Sequence, residues 1–248
     1  MRVSPACEHC YAEAWAKRLG KDVWGVKKTR RFFGDAHWRE PEKWNRVASE
    51  TGRRARVFCA SMADVFELRA ELDPQRKRLW SLIRDTPYLD WLLLTKRPEN
   101  VARMAPWRGD WPSNVWLGTT VENQEYAERR LPSLLAAPAA IHFVSCEPLL
   151  GALDLRPWLR RAQSTRAAID WVIVGGESGG GARRMDPVWA RSLRDQCVDT
   201  RVPFHFKQWG VWGPASRHVV DASSLVRMGK GRAGRVLDGR TWDGVPRS

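Results

Sequence analysis

Two thiols near the start of the chain, Cys7 and Cys10, are the residues whose type and spacing best suit chemistry. They stand three positions apart, a spacing at which both sulfurs can reach one metal ion. The same spacing serves zinc sites, iron–sulfur clusters and dithiol redox pairs, so it does not choose among them. A structural zinc site needs two further ligands, and the three other cysteines show no second paired spacing.

The residues after Cys10 predict a helix. Residues 11–20 are rich in Ala, Glu, Lys and Leu, which favour a helix, and Gly20 suits its end. The free N–H groups at the start of a helix stabilise thiolates and other anions. We therefore expect the thiol pair to lie directly at the beginning of a helix.

Six apolar runs follow and predict the sheet that must position this loop. They span residues 56–61, 89–95, 114–119, 141–145, 169–174 and 203–206. The runs are continuous rather than alternating, as in parallel strands that are buried on both faces. Helical segments between them indicate βαβ units. We predict an α/β fold with a partial or full TIM-like (β/α) barrel of mostly parallel strands, and an open doubly wound sheet is the alternative.

Polar residues follow each run, and in both architectures the site lies at the carboxyl ends of the strands. These residues are Ser61, Asp64, Lys96, Arg97, Thr119, Glu122, Glu147, Glu177, Lys207 and Gln208. We expect about half of them to form salt bridges between strand ends. The candidate catalytic residues are Lys96, Glu122, Glu147 and Lys207. Lys96, Arg97 and Lys207 could bind a phosphate or a carboxylate. They could instead neutralise Glu122, Glu147 and Glu177 across the mouth of the barrel, and we expect a mixture of both roles.

Length and composition bound the domain organisation and the compartment. With 248 residues, the chain suits one barrel domain over residues 1–213 and an extension of turns over 214–248. Asp238-Gly239 is a hairpin signal within that extension. Five cysteines without framework spacing fit a reducing, cytoplasmic compartment. No apolar run approaches the length of a membrane span.

A net charge of +14 and a pI near 10.3 predict a polyanionic partner, nucleic acid first. The alternative is an arginine-rich composition without a binding function. The clearest basic run covers residues 27–31 and precedes Phe32-Phe33. Arginines beside aromatic rings can hold phosphates and stack on bases, although the run could equally be a solvated loop.

The run Val3-Ser4-Pro5-Ala6-Cys7-Glu8-His9-Cys10-Tyr11-Ala12-Glu13 resembles the cysteine motif of the three-Cys-motif proteins. These are uncharacterised proteins encoded by phages and prophages, and they are related to the radical S-adenosylmethionine (SAM) superfamily. The resemblance extends over nearly the whole chain. Its further blocks are residues 61–66, 94–98, 116–123, 145–151, 171–179, 206–210 and 237–240.

The resemblance implies a [4Fe-4S] cluster and SAM as cofactors. Cys7 and Cys10 would be two of three thiolate ligands, and His9 would lie against the adenine of SAM. The family pattern has a first cysteine, six intervening residues and then the Cys-x-x-Cys pair, so that first cysteine would fall one position before Met1. We expect the natural start to lie upstream, and both cofactors depend on that third thiol. Reduction of SAM would then yield a 5′-deoxyadenosyl radical.

Two places compete for the contact with SAM. Gly175-Gly176-Glu177 is similar to the Gly-Gly-Glu that contacts SAM in the superfamily, but here it follows a late strand, and a tight strand–helix turn explains it equally. Ser61 and Asp64, after an earlier strand, are the alternative contact with SAM.

The leading hypothesis for the function is radical chemistry on nucleic acid or a nucleoside. The alternatives are a basic nucleic-acid-binding module with vestigial or zinc-binding cysteines, and a protein that assembles with a neighbouring phage-encoded partner.

Overall fold

Six parallel strands form a curled half-barrel in an α/β fold, as the apolar runs predict. The computed structural model describes residues 3–25, 27–159, 167–215 and 221–246. The strands are β1 (Ala55–Cys59), β2 (Leu89–Thr95), β3 (Val115–Thr120), β4 (Ile141–Cys146), β5 (Trp171–Gly175) and β6 (Phe204–Gln208). They lie side by side in the order of the chain, each parallel to the next. A doubly wound sheet would reverse its strand order partway, so that alternative is wrong.

Helices flank and connect the strands, and four of them begin at a capping side chain or a first-turn proline. They are α1 (Tyr11–Arg18), α2 (Asp35–Trp38), α3 (Glu40–Thr51), α4 (Asp73–Asp85), α5 (Val101–Met104), α6 (Gln124–Leu135) and α7 (Pro187–Thr200). The side chain of Asn123 caps α6 by accepting from the backbone N–H of Tyr126. Asp186 caps α7 in the same way. None of the helices in the described part of the chain has the length and apolar character needed to cross a membrane.

The two faces of the sheet carry different cores because side chains alternate along each strand. The outer face and the helices share the large core, which includes Leu93, Leu117 and Phe206. The inner face carries a small second cluster of Leu92, Trp116, Ile141, Phe143, Trp171 and Ile173. The strand register places three of these residues, Leu92, Trp116 and Ile141, in one row across the sheet. Trp116 and Trp171 are both buried in this inner cluster.

The last part of the chain folds back onto β6. Strands β7 (Trp212–Pro214) and β8 (Leu225–Arg227) pair antiparallel, and a short helix, α8 (Lys230–Ala233), follows. Asp238 and Gly239 form a tight turn, with φ of 52° and 81°. Residues 242–245, here named the C-terminal strap, then run along β6, where Gly244 donates its N–H to the carbonyl of Phe204 at 2.9 Å.

Candidate functional site at the carboxyl ends of the strands

The loop that carries the two thiols leads directly into a helix, as expected. Residues Pro5–Cys7 form a single 3-10 turn, and Cys10 is the residue that precedes α1. Cys7 is buried and Cys10 is half-buried, and both are free thiols. We name residues 4–10 the thiol loop.

Hydrogen bonds fix the thiol loop above the carboxyl ends of the strands. Arg183 donates to the carbonyl of Pro5 at 2.8 Å and to the carboxylate of Glu8 at 2.9 Å. The same guanidinium binds both oxygens of Glu177, which follows β5, at 2.7 and 2.9 Å. On the other side of the loop, the Tyr11 hydroxyl donates to the carbonyl of Ser61, which follows β1, at 2.9 Å. The thiols therefore lie on the same rim of the half-barrel as the strand ends.

His9 packs against the loop that follows Glu177. A Cβ atom at Gly181 would lie 2.6 Å from Nδ1 of His9, so a side chain at that position would displace the ring. The residues considered for contact with SAM are thus partly brought together, since Ser61 and Glu177 border the thiol loop, which contains His9. Their binding role remains a prediction.

A layer of polar side chains occupies the inner face directly below the rim. Nζ of Lys96 lies 3.2 Å from the hydroxyl of Thr120. Across the sheet, the Glu147 carboxylate accepts from the Ser145 hydroxyl at 3.1 Å and from Nζ of Lys207 at 3.2 Å. The inner face is therefore apolar towards its amino end and polar at its carboxyl end, which is the arrangement of a ligand site in a barrel.

Tyr11 connects this polar layer to the thiol loop. Burial raises the pKa of its hydroxyl, and the negative charges of Cys10 and Glu147 raise it further, while the hydrogen bond to Ser61 opposes the change. Tyr11 follows Cys10 directly in the chain, and the Glu147 carboxylate is near enough to act on its hydroxyl.

Asp64 holds the ends of β1 and β2 together. One carboxylate oxygen accepts from the Thr95 hydroxyl at 2.7 Å, and the other accepts from the backbone of Lys96 at 3.0 Å and from Arg97 at 2.8 Å. The backbone N–H of Phe66 supplies a fourth hydrogen bond. With four donors already bound, the carboxylate has a structural role that needs no cofactor.

Glu122 is fully buried behind the polar layer and pairs with Arg130, which is two helical turns further along the chain. The guanidinium donates to Glu122 Oε2 at 2.8 Å and to the carbonyl of Thr120 at 2.8 Å. Oε1 of Glu122 has no hydrogen-bond partner among the described residues. A buried ion pair of this kind holds its neighbours in place, so Glu122 suits positioning better than direct contact with a ligand.

The salt bridges at the rim use partners that differ from most of those expected. Lys207 pairs with Glu147, as one alternative held. Glu122 and Glu177, however, pair with Arg130 and Arg183 rather than with Lys96 or Lys207.

The sequence analysis did not predict four residues of the site, which are Tyr11, Thr120, Arg130 and Arg183. Arg130 alone has a local signal, since it lies eight residues after Glu122, inside the helix that Glu122 precedes.

Gly175 and Gly176 are required by packing. A Cβ atom at Gly175 would lie 2.6 Å from Oε1 of Glu147, and one at Gly176 would lie 1.9 Å from the carbonyl oxygen of Trp209. Real Cβ atoms do not approach other atoms so closely, which explains both glycines through close approach of neighbouring atoms.

The number of available thiols determines whether the described residues could hold an iron–sulfur cluster. Burial raises the pKa of Cys59 and Cys197 to about 12 and that of Cys146 well above its usual range. These three thiols belong to the core. No group of three or more His, Cys, Asp and Glu side chains in the described residues could hold a metal ion. The thiol loop thus supplies two thiols, and the described residues alone do not fit a cluster that needs three thiolates.

Comparison with known proteins gives one finding at the level of the family. No curated protein and no solved structure matches the chain. A family model described as a protein of unknown function (DUF5131) matches residues 1–246. The chain therefore belongs to the DUF5131 family.

Proposed function

We propose that this protein is a radical-SAM-like iron–sulfur protein that acts on nucleic acid or a nucleoside. Cys7 and Cys10 would supply two ligands of the cluster, and the third thiolate would come from outside the described residues. The phage or prophage origin that the resemblance implies is part of the same proposal. When bound, such a cluster supplies one-electron chemistry on SAM.

The observation that carries the proposal is the position of the thiol loop. It lies over the carboxyl ends of a parallel half-barrel, bonded to residues after β1 and β5 and next to the polar inner layer. Barrel enzymes place their reacting groups at this end of the sheet.

The residues of the polar layer would bind and orient the ligand. Lys96 and Lys207 are cations at the strand ends and would bind an anionic group such as a phosphate or a carboxylate. Glu147 would hold Lys207 in place through the contact at 3.2 Å. Glu122 would not contact the ligand itself. It would position the neighbouring residues, because its only described charged partner is the buried Arg130.

Anaerobic reconstitution with iron and sulfide tests the proposal. The protein would be prepared as the 248-residue chain and as a chain with a cysteine inserted directly before Met1. We expect the extended chain to bind about four iron and four sulfide ions. Replacement of Cys10 by Ser in the extended chain should abolish binding, whereas Cys197→Ser, in the buried core thiol, should leave it unchanged. An extended chain that binds neither iron nor sulfide would refute the proposal.

A second candidate, a non-catalytic module that binds nucleic acid, is favoured by the net charge of +14. The two candidates differ in a cofactor assay. An extended, reconstituted chain that cleaves SAM under reducing conditions supports the first. Steeply salt-dependent binding to nucleic acid without any cleavage of SAM supports the second.

A further inference from the structure

Strand β1 forms one edge of the half-barrel and leaves aromatic and cationic side chains accessible. It pairs with β2 on one side, and no described strand pairs with its other side. Phe58 is 41% exposed, although it sits within a strand, and Trp44 of the adjacent helix α3 is 43% exposed. Arg56 of the same strand is exposed as well.

Two cavities border this edge and share Arg56 as a wall. One has a volume of about 300 Å³ and is lined by Trp44, Arg56 and Phe58, together with Ala55 and Val57. The other has a volume of about 380 Å³. Its lining residues are Arg53, Arg54, Arg56, Asp90, Trp116 and Pro246. We name the two cavities together the β1-edge cleft.

The β1-edge cleft has an excess of positive charge. Arg54 is paired with Asp90 at 2.7 Å, but neither Arg53 nor Arg56 forms an ion pair with any carboxylate in the described parts of the chain. The charge of Arg56 acts on His205 of β6. The pKa of His205 is lowered, first by burial and then by cations that include Arg235 and Arg56.

The aromatic side chains of the cleft are partly exposed and lie near cations. Nζ of Lys207, on the opposite edge strand, lies 6.0 Å from the centroid of the Phe58 ring. Cationic grooves with exposed aromatic rings bind single-stranded nucleic acid, because the cations hold the phosphates and unpaired bases stack on the rings. Paired bases in a duplex do not offer their faces in this way.

We propose that the β1-edge cleft binds a single strand of nucleic acid, with a base stacked on Phe58 and phosphates held by Arg53 and Arg56. The inference rests on the proposed function for its choice of nucleic acid as the ligand class, but binding at the cleft requires no cluster. Part of the positive charge of the basic run at residues 27–31 is already neutralised within the chain. In that run the guanidinium of Arg30 donates two hydrogen bonds to the carboxylate of Glu67, at 2.6 and 2.9 Å. Lys28 forms a salt bridge with Asp22.

Fluorescence anisotropy with the metal-free chain tests the inference. The probe is a fluorescein-labelled oligodeoxythymidine, titrated over a series of KCl concentrations, with a duplex of the same length for comparison. We expect the single strand to bind more tightly than the duplex. Absence of binding, or equal binding of the duplex, would overturn the inference. Because no iron is present, the result is independent of whether a cluster forms.

Variants assign the binding to the cleft. Phe58→Ala should weaken binding about tenfold or more, since the loss of one stacked base has an effect of that size. Phe58→Leu should weaken it similarly, and because Leu keeps the apolar volume, this variant separates stacking from a folding defect. The inference fails if binding by Phe58→Leu equals that of the wild-type chain.

The arginines are tested with a control that removes the same charge. Arg53→Gln with Arg56→Gln should reduce the slope of log K against log salt by about 1.4, at about 0.7 per lost phosphate contact. The matched control is Lys77→Gln with Arg129→Gln, two exposed cations on helices α4 and α6. The control should keep the wild-type slope. An equal loss in both double variants would show a diffuse attraction and would overturn the inference.

Discussion

At the scale of single residues, three glycines on the rim bring the backbone close to neighbouring atoms. Gly175 leaves space for the Glu147 carboxylate, Gly176 for the backbone of Trp209, and Gly181 for the His9 ring. The Gly-Gly-Glu segment therefore has a complete explanation in packing, whether or not it also contacts a cofactor. A short motif that resembles a cofactor contact is not evidence of one when packing requires the same residues.

Gly176→Ala should destabilise the fold by about 1–3 kcal/mol, because the new methyl group would overlap the carbonyl of Trp209 and force the strand ends apart. Urea denaturation followed by circular dichroism measures the change. Gly180→Ala is the matched control, since a Cβ atom there meets nothing within 4 Å. Equal stability of the two variants would contradict the packing explanation.

Asp238→Asn should lower stability at neutral pH and make less difference in acid. Arg191 donates to Asp238 and lowers the pKa of its carboxyl group, an effect that Arg194 reinforces and burial opposes. A pKa lower in the folded chain than in the unfolded one gives stability that is present above about pH 4 and is lost as the pH falls through the folded value. Because the Asp238 side chain is 34% exposed, the effect should be about 1 kcal/mol or less.

Urea unfolding of the wild-type chain and of Asp238→Asn at several pH values from neutral to acidic checks this prediction. The gap between the two chains should close as the pH drops below about 4. Asp22→Asn, at a well-exposed position, should show no such gap at any pH. A gap that stays constant with pH would contradict the assigned cause.

At the scale of elements, the thiol loop is held in place by residues far away in the chain. Arg183 links Glu177, after β5, to Pro5 and Glu8. Tyr11 links the start of α1 to the end of β1. These two anchors place a loop without regular structure on the rim with defined geometry, which a ligand site requires.

Glu177→Gln should loosen the thiol loop, because the buried carboxylate orients the guanidinium that binds the carbonyl of Pro5. We expect Cys7 to react faster with iodoacetamide, measured by mass spectrometry of the peptide that contains it. A loss of stability of about 1–3 kcal/mol should accompany the change. Asp35→Asn, which removes an exposed pair with Arg78, is the control and should leave the rate unchanged. An unchanged rate in Glu177→Gln would show that other contacts anchor the loop.

At the scale of the whole molecule, the half-barrel has two unlike edges. The C-terminal strap covers β6, and Trp171 Nε1 donates to the carbonyl of Gly244 at 2.7 Å. The β1 edge has no such cover among the described residues. Exposed edges attract further chains, and natural proteins protect them with charges. The exposed Arg56 on β1 meets that need.

Gly244→Ala should detach the strap, since a Cβ atom would lie 2.7 Å from both N and O of Phe204. Amide hydrogen exchange followed by mass spectrometry should show faster exchange over residues 242–245 and β6, with β2 to β4 unchanged. Gly231→Ala, at a position with no atom within 4 Å, is the control. Wild-type exchange in Gly244→Ala would mean that the strap does not depend on this close approach.

Sequence reasoning reached the strands because their signal is local. Each apolar run overlaps one observed strand, and the predicted run 89–95 coincides with β2. The position of the polar residues on one rim was predicted from the same signal, since parallel strands place all their carboxyl ends at one edge. The partners of Glu122 and Glu177 did not follow, because opposite charges are too common in this chain to identify a pair without coordinates. Arg183 and Glu8 are 175 positions apart and share no local pattern.

The sequence by itself determined the parallel α/β architecture, the thiol pair at the start of a helix and the excess of positive charge. Each of these depends on residue type, periodicity or short spacing. Only the tertiary structure decided which strand ends the thiols face, which rim charges neutralise one another, and which edge leaves arginines and aromatic rings open. The physical reason is that long-range contacts are selected by the packing of the entire chain, and no single segment contains that information.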